Sequence, residues 1–128
     1  MKPLTHEWIG KAEGDFATAK REVRARKAPT YDAACFHAQQ CVEKYLKARL
    51  QEATIHFGRT HDLSALLNLL LSVEPSWESL RPHLRALMTF AVGVRYPGES
   101  ADKAMGREAL ALCHTVRRHI RLSLGLEP

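Results

Sequence analysis

Four polar or charged side chains with suitable chemistry lie on a segment of the chain that is mostly apolar. They are His37, Gln40, Glu43 and Lys47, and they follow one another at steps of three and four residues. Such steps bring side chains close to one another along a helix. A lysine can contact a phosphate, whereas an imidazole and an amide can hydrogen-bond to a base. The spacing therefore predicts a polar strip with nucleotide-binding chemistry on an apolar helix.

A second group of residues with suitable chemistry lies further along the chain, at Arg85, Arg95 and Tyr96. An arginine offers a planar fork for a phosphate, and a tyrosine offers a face on which a base can stack. The alternative is structural: Tyr96 closes the end of a bundle, and Arg95 pairs with a carboxylate such as Glu43 or Glu99. The residue types leave both interpretations open.

Other chemistries find less support in the sequence. Seven histidines are present, but His114 and His119 are five residues apart and no cysteine lies at ligand spacing, so we expect no metal. Neither a nucleophile signature nor a phosphate-binding glycine motif occurs, and we expect no cofactor. Two Arg-x6-His spacings, which could support RNA cleavage, arise easily by chance in a chain with so many of these residues. They are Arg49 to His56 and Arg107 to His114.

The polar strip must be positioned by a helix that we predict from Tyr31 to Ala53. Two apolar stripes run along this segment, at Ala34, Ala38, Cys41, Tyr45 and Ala48, and at Cys35, Val42, Leu46 and Leu50. A helix that is apolar on two faces packs between neighbours instead of lying on a surface. We therefore predict that this helix is central. The three cysteines, which include Cys113, are interpreted as small buried apolar residues.

Further helices are predicted on both sides of the central one. The first follows Thr5 as N-cap and ends before Pro29, and a short helix after Thr60 or Asp62 carries four leucines. His61, just before that short helix, is expected to hold the preceding loop or to face a partner. A fourth segment from Ser76 to Tyr96 contains Pro82, which either kinks one helix or lies in the first turn of a helix starting near Arg81. The last helix is predicted from Ser100 as N-cap to Gly125.

No segment alternates apolar and polar residues as a half-buried strand does, so we predict an all-α fold. Residues 1–128 are expected to form one domain, an up-and-down four-helix bundle with an extra short helix. The excess of apolar residues on helix faces suggests a homodimer. Neither a membrane span nor a signal sequence is recognised, and a cytoplasmic protein is expected.

Positive charge is concentrated in two places, and the net charge is +5. One cluster comprises Lys20, Arg21, Arg24, Arg26 and Lys27, and the other comprises Arg117, Arg118 and Arg121. Positive charge is favourable at the carboxyl end of a helix, which explains each cluster structurally. Binding of nucleic acid or of a nucleotide phosphate is the functional alternative.

Three motifs together resemble the HEPN domain, a helical nucleotide-binding domain of prokaryotes and eukaryotes. They are Ala34-Cys35-Phe36-His37-Ala38-Gln39-Gln40-Cys41-Val42-Glu43-Lys44-Tyr45-Leu46-Lys47-Ala48, then Thr60-His61-Asp62-Leu63, then Arg95-Tyr96-Pro97. The resemblance implies a bundle similar to the helical domain of kanamycin nucleotidyltransferase, commonly dimeric. It also implies a small nucleotidyltransferase as partner, and several such pairs are toxin–antitoxin systems.

In those systems the HEPN protein is a metal-independent RNase with an Arg-x(4–6)-His motif, supported by a Glu-x-x-x-Lys pair. Glu43 and Lys47 match the pair, but residues 88–97, where the Arg/His motif is expected, contain no histidine. This departure favours nucleotide or partner binding over RNA cleavage.

We therefore predict a nucleotide-binding module whose site lies in a dimer cleft. The expected site residues are His37, Gln40, Glu43, Lys47, Arg85, Arg95 and Tyr96. An RNase with a displaced Arg/His site and a purely structural dimerising bundle are the alternatives.

Overall fold

Five α-helices and one 3₁₀ segment form the part of the chain that the computed structural model describes, residues 1–93 and 97–128. They are α1 (Pro3–Arg24), α2 (Tyr31–Glu52), α3 (Leu63–Leu70), the 3₁₀ segment Pro75–Leu80, α4 (Arg81–Gly93) and α5 (Lys103–Ser123). No strand occurs among these residues. The predicted all-α bundle, with four long helices and one short one, is confirmed.

Helix α2 is the centre of the bundle, and it packs against α1, α3, α4 and α5. Every residue of its two predicted apolar stripes is buried, Tyr45, Leu46 and Leu50 completely. The absence of Gly, Pro and long β-branched runs keeps the helix regular over 22 residues. Burial of both stripes supplies most of the hydrophobic stabilisation that holds the neighbours around it.

Contacts near the helix ends give the directions of α1 and α5 relative to α2. Thr5, near the start of α1, hydrogen-bonds to Glu52 at the end of α2, so the two helices are antiparallel. Asp32, near the start of α2, accepts a hydrogen bond from the backbone N–H of Ala101, just before α5. Since Arg121 near the end of α5 reaches Tyr45, α5 runs parallel to α2.

Two predicted helix N-caps are wrong. Helix α1 begins at Pro3, whose missing N–H suits a first turn, and the Thr5 hydroxyl instead donates 3.0 Å to Glu52 Oε1. Helix α5 is capped by Asp102, which accepts the N–H of Met105 at 2.8 Å, and not by Ser100. A carboxylate accepts this N–H more strongly than a hydroxyl does.

Other predicted boundaries agree with the structure. Asp62 caps α3 by accepting hydrogen bonds from the N–H groups of Ser64 and Ala65. Pro82 lies in the first turn of α4, where a proline is tolerated. Gly125 follows α5 with a φ of +76°, a conformation that favours glycine.

The three cysteines are free and buried, which confirms their interpretation as small apolar residues. Burial raises the pKa of the Cys35 thiol to about 11 and raises that of Cys41 as well. Both thiols are therefore protonated at neutral pH. Within the described ranges, no helix is long and apolar enough to cross a membrane.

Candidate functional site

The polar strip of α2 contains a buried ion pair. Lys47 Nζ lies 3.1 Å from Glu43 Oε2, and their side chains are only 7% and 4% exposed. The two residues are one helical turn apart, so α2 itself holds them together. A charged group is buried without large penalty only when a partner satisfies it. Each residue of this pair therefore makes the burial of the other possible.

The second oxygen of Glu43 binds a residue of the loop before α3. His61 Nδ1 lies 2.9 Å from Glu43 Oε1, and the His61 side chain is 74% exposed. The carbonyl oxygen of His61 accepts a hydrogen bond from Gln39, which fixes the loop to α2 a second time. An imidazole that a buried carboxylate orients, and that solvent reaches, can accept or donate a proton or contact a ligand.

An aromatic pair lies on the other side of Lys47. The Lys47 ammonium group is 5.5 Å from the centre of the Trp8 ring, and Trp8 meets Phe57 edge to face at 6.1 Å. These rings form one side of a cavity of about 340 Å³, which we call the aromatic cleft. It is lined by Leu4, Glu7, Trp8, Lys11, Gln51 and Phe57.

Two other predicted site residues on α2 are held by hydrogen bonds. His37 Nδ1 lies 2.7 Å from Asp15 Oδ1, and the Lys44 ammonium binds the other oxygen of Asp15. Gln40 donates a hydrogen bond to the side-chain oxygen of Gln39. A chain of polar contacts therefore runs from Gln40 through Gln39, His61 and Glu43 to Lys47.

The remaining predicted site residues lie elsewhere. Arg85 is exposed on α4, close enough to Glu78 for its charge to act on that carboxylate. Hydrogen bonds from Arg81, with a smaller contribution from the charge of Arg85, lower the pKa of Glu78. Arg95 and Tyr96 lie outside the described residues, and so does the alternative pairing of Arg95 with Glu43 or Glu99.

The basic cluster near the carboxyl terminus is largely a structural ion network. Arg117 donates two hydrogen bonds to Glu13, at 2.7 and 2.8 Å, and Arg121 binds the Tyr45 hydroxyl. The hydrogen bonds from Arg117 lower the pKa of the Glu13 carboxyl, which also accepts a hydrogen bond from Tyr45. Arg117 and Arg121 therefore join α5 to α1 and α2 through an ion pair and hydrogen bonds. Of the two, only Arg121 lies in the last turn of α5, where a cation complements the helix end.

Among the described residues, no hydrogen bond joins the arginine to the histidine in either Arg-x6-His spacing. Arg49 binds Glu74 and Ser123, and His56 is exposed on the loop after α2. Arg107 and His114 are both exposed, nearly two turns apart on α5. Among residues 1–93 and 97–128, no group of His, Cys, Asp and Glu could hold a metal ion.

The expected site residues did not include three contributors to this region, namely Trp8, Phe57 and His61, although His61 was expected to hold the preceding loop or to face a partner. Trp8 lies on α1, is half-buried and borders the cleft. Phe57 lies in a loop without a periodic pattern, so no spacing signal could place it. The one signal that the sequence offered for Phe57 was the presence of an aromatic residue in a largely polar loop.

Comparison with known proteins links this arrangement to one domain type. A family model described as the HEPN domain matches residues 5–122. The crystal structure of an archaeal HEPN homologue superimposes with a TM-score of 0.68 at 24% sequence identity, and the match covers 96% of this chain and 98% of the other. No curated protein sequence matches the chain.

Proposed function

Because the chain belongs to the HEPN domain family, we propose that it is a module that recognises a nucleotide and pairs with a small nucleotidyltransferase. One observation carries the proposal: a buried carboxylate, Glu43, joins a buried lysine and an exposed histidine directly beside an aromatic cleft. An exposed imidazole that a buried carboxylate orients can exchange a proton or contact a ligand. A cytoplasmic toxin–antitoxin pair is the setting that the resemblance suggests for such a module.

The aromatic cleft supports recognition of a base. Its volume of about 340 Å³ lies within the range of small-ligand sites. Trp8 and Phe57 present ring faces and edges on which a base can stack. The Gln51 amide offers a donor and an acceptor at the cleft wall, and Lys11 offers a cation to a phosphate at its rim.

We propose that the remaining predicted residues act in a homodimer. Phe36 is 40% exposed although it is large and apolar, and its ring contacts the His37 ring. Aromatic side chains are enriched in interfaces relative to the rest of a protein surface, and Phe36 is an exposed aromatic residue beside polar groups. In this proposal the dimer brings His37 and Gln40 of α2 together with Arg85, Arg95 and Tyr96 to complete the nucleotide site.

Titration with ATP, GTP and NAD tests nucleotide recognition, with binding measured by calorimetry and by thermal shift. We expect at least one nucleotide to bind, and the Lys11→Gln/Gln51→Ala variant to bind it about tenfold or more weakly. Arg118→Gln, an exposed position on α5, is the matched control and retains binding. Light scattering measures the molar mass of the protein in solution, and we expect the mass of a dimer.

A different result separates nucleotide recognition from partner binding. If no nucleotide stabilises the protein and a co-expressed nucleotidyltransferase binds tightly, the function is protein interaction alone. If neither binds, the purely structural bundle is the remaining interpretation.

An RNase is the second candidate, and the contact between His61 and Glu43 favours it. A carboxylate that orients an exposed imidazole is the arrangement of a general acid or base, which RNA cleavage requires. Incubation of the purified protein with RNA tests this candidate. Cleavage that His61→Ala abolishes, while His56→Ala and His114→Ala retain it, would replace the binding module by an enzyme.

A further inference from the structure

A cavity of about 570 Å³ opens where the end of α1, the α1–α2 connection and the start of α5 meet. We call it the basic pocket. Its polar lining consists of Arg24, Arg26, Lys103 and Arg107, and Tyr31 and Pro29 form part of its wall. The four basic residues come from two stretches of the chain, 24–26 and 103–107, so the fold adds the charge at the start of α5 to part of the charged run at the end of α1.

Three of the acidic residues nearby in sequence are engaged with backbone N–H groups, and Glu108, which follows Arg107, is exposed and does not line the pocket. Glu22 accepts the N–H of Thr30 at 2.7 Å, Asp32 accepts that of Ala101 at 2.6 Å, and Asp102 accepts that of Met105. None of the three carboxylates lines the basic pocket. The pocket therefore carries four positive charges and no lining carboxylate, an arrangement that attracts anions.

Helix electrostatics explains only part of this charge. Arg24 lies in the last turn of α1, where a cation is favourable. Lys103 lies in the first turn of α5, where the helix dipole disfavours cations and favours anions, and Arg107 follows in the second turn. The helix dipole therefore does not explain these two cations. An anion bound there would be attracted by the helix start and by the basic side chains together.

The walls of the pocket are held in place by packing. The hydrogen bond from Ala101 to Asp32 ties the start of α5 to the start of α2. Gly106 permits close approach there, because a Cβ on this residue would lie 3.1 Å from Cδ1 of Tyr31. The four basic side chains are exposed, and the fixed backbone beneath them brings their attachment points to one pocket.

We propose that the basic pocket binds a small ligand that carries two or more phosphates. Arginine forks match phosphate oxygens in pairs, and the volume suits a ligand the size of a mononucleotide. Inorganic polyphosphate and a nucleoside polyphosphate share this chemistry. The site does not rest on the function proposed above, because Trp8 and Arg24 lie 16 residues apart on α1, a separation of about 24 Å.

Calorimetric titration of the full chain at low ionic strength with tripolyphosphate, ATP and adenosine tests the proposal. We expect tripolyphosphate and ATP to bind and adenosine to fail. The Arg24→Gln/Arg107→Gln variant is expected to bind both phosphate ligands about tenfold or more weakly, with its fold verified by circular dichroism. The Arg59→Gln/Arg118→Gln variant removes the same charge from exposed positions outside the pocket, and its affinity is expected to remain within about twofold.

Three outcomes would overturn the proposal. The first is equal weakening by both double variants, which means attraction by net charge alone. The second is the absence of binding by both ATP and tripolyphosphate. The third is loss of ATP binding in Lys11→Gln/Gln51→Ala but not in Arg24→Gln/Arg107→Gln, which supports the aromatic cleft instead. Conversely, if the Lys11→Gln/Gln51→Ala variant still binds tripolyphosphate, the result supports the basic pocket even if the aromatic cleft binds nothing.

Discussion

Glu43 and Lys47 form an ion pair inside the bundle, with 3.1 Å between Oε2 and Nζ and almost no exposure of either side chain. One turn of α2 separates them, and the same carboxylate also orients His61. Removal of either partner leaves the other charge buried. The stability of the bundle and the chemistry of the candidate site therefore depend on the same two residues.

Replacement of Lys47 by methionine is expected to destabilise the protein by about 3–5 kcal/mol, since Glu43 would remain buried without its cation. Urea denaturation at neutral pH, followed by circular dichroism, measures this free energy of unfolding. The Glu43→Leu/Lys47→Met variant removes both charges and is expected to regain most of the loss. Equal stability of the single and double variants would contradict the coupling.

Acid is expected to weaken the link between Glu13 and Arg117. Hydrogen bonds from Arg117 lower the pKa of Glu13 in the folded protein, so the unfolded chain binds its proton at higher pH. The stabilisation is therefore complete above the unfolded pKa of about 4.3 and is lost as the pH falls through the folded pKa.

Melting temperatures measured from about pH 2 to 7 test this pH dependence. The difference between wild type and Glu13→Gln is expected to favour wild type at pH 7 and to shrink in acid. Glu108→Gln, an exposed substitution on α5, is the control that retains the wild-type profile. A pH-independent difference for Glu13→Gln would show that the link acts only through packing.

The N-cap of α5 gives a direct comparison of two candidates. Asp102→Ala is expected to lower stability by about 1 kcal/mol, because the Met105 N–H loses its acceptor. Ser100→Ala, two residues earlier, is expected to change stability by no more than about 0.5 kcal/mol. Chemical denaturation of both variants measures the two values, and a larger effect at Ser100 would restore the capping role predicted from sequence.

Replacement by alanine is expected to change stability differently at two glycines in helix interiors. Gly10→Ala meets no atom within 4 Å and should stabilise α1 by about 0.5–1 kcal/mol. Gly106→Ala brings a Cβ to 3.1 Å from Tyr31, so part or all of the same gain is lost as the ring moves. Thermal unfolding of the two variants compares them, and an equal gain at both positions would mean that Tyr31 is loosely packed.

The central helix shows what the sequence could predict. Apolar residues at steps of three and four identify a helix buried on two faces, because that periodicity reports directly on burial. The breaks at prolines and glycines and the cap at Asp62 follow from local backbone chemistry, and residues 31–52 are helical almost as predicted. The all-α bundle was therefore determined by local patterns.

The partner of each charge was decided only by tertiary structure. Arg117 lies 104 residues from Glu13, and Arg24 lies 83 residues from Arg107, yet the first pair binds directly and the second lines one pocket. Periodicity places a side chain on a face, but it does not say which charge the neighbouring helix brings to that face. Electrostatic energy depends on distance and burial, and both arise only when the helices pack.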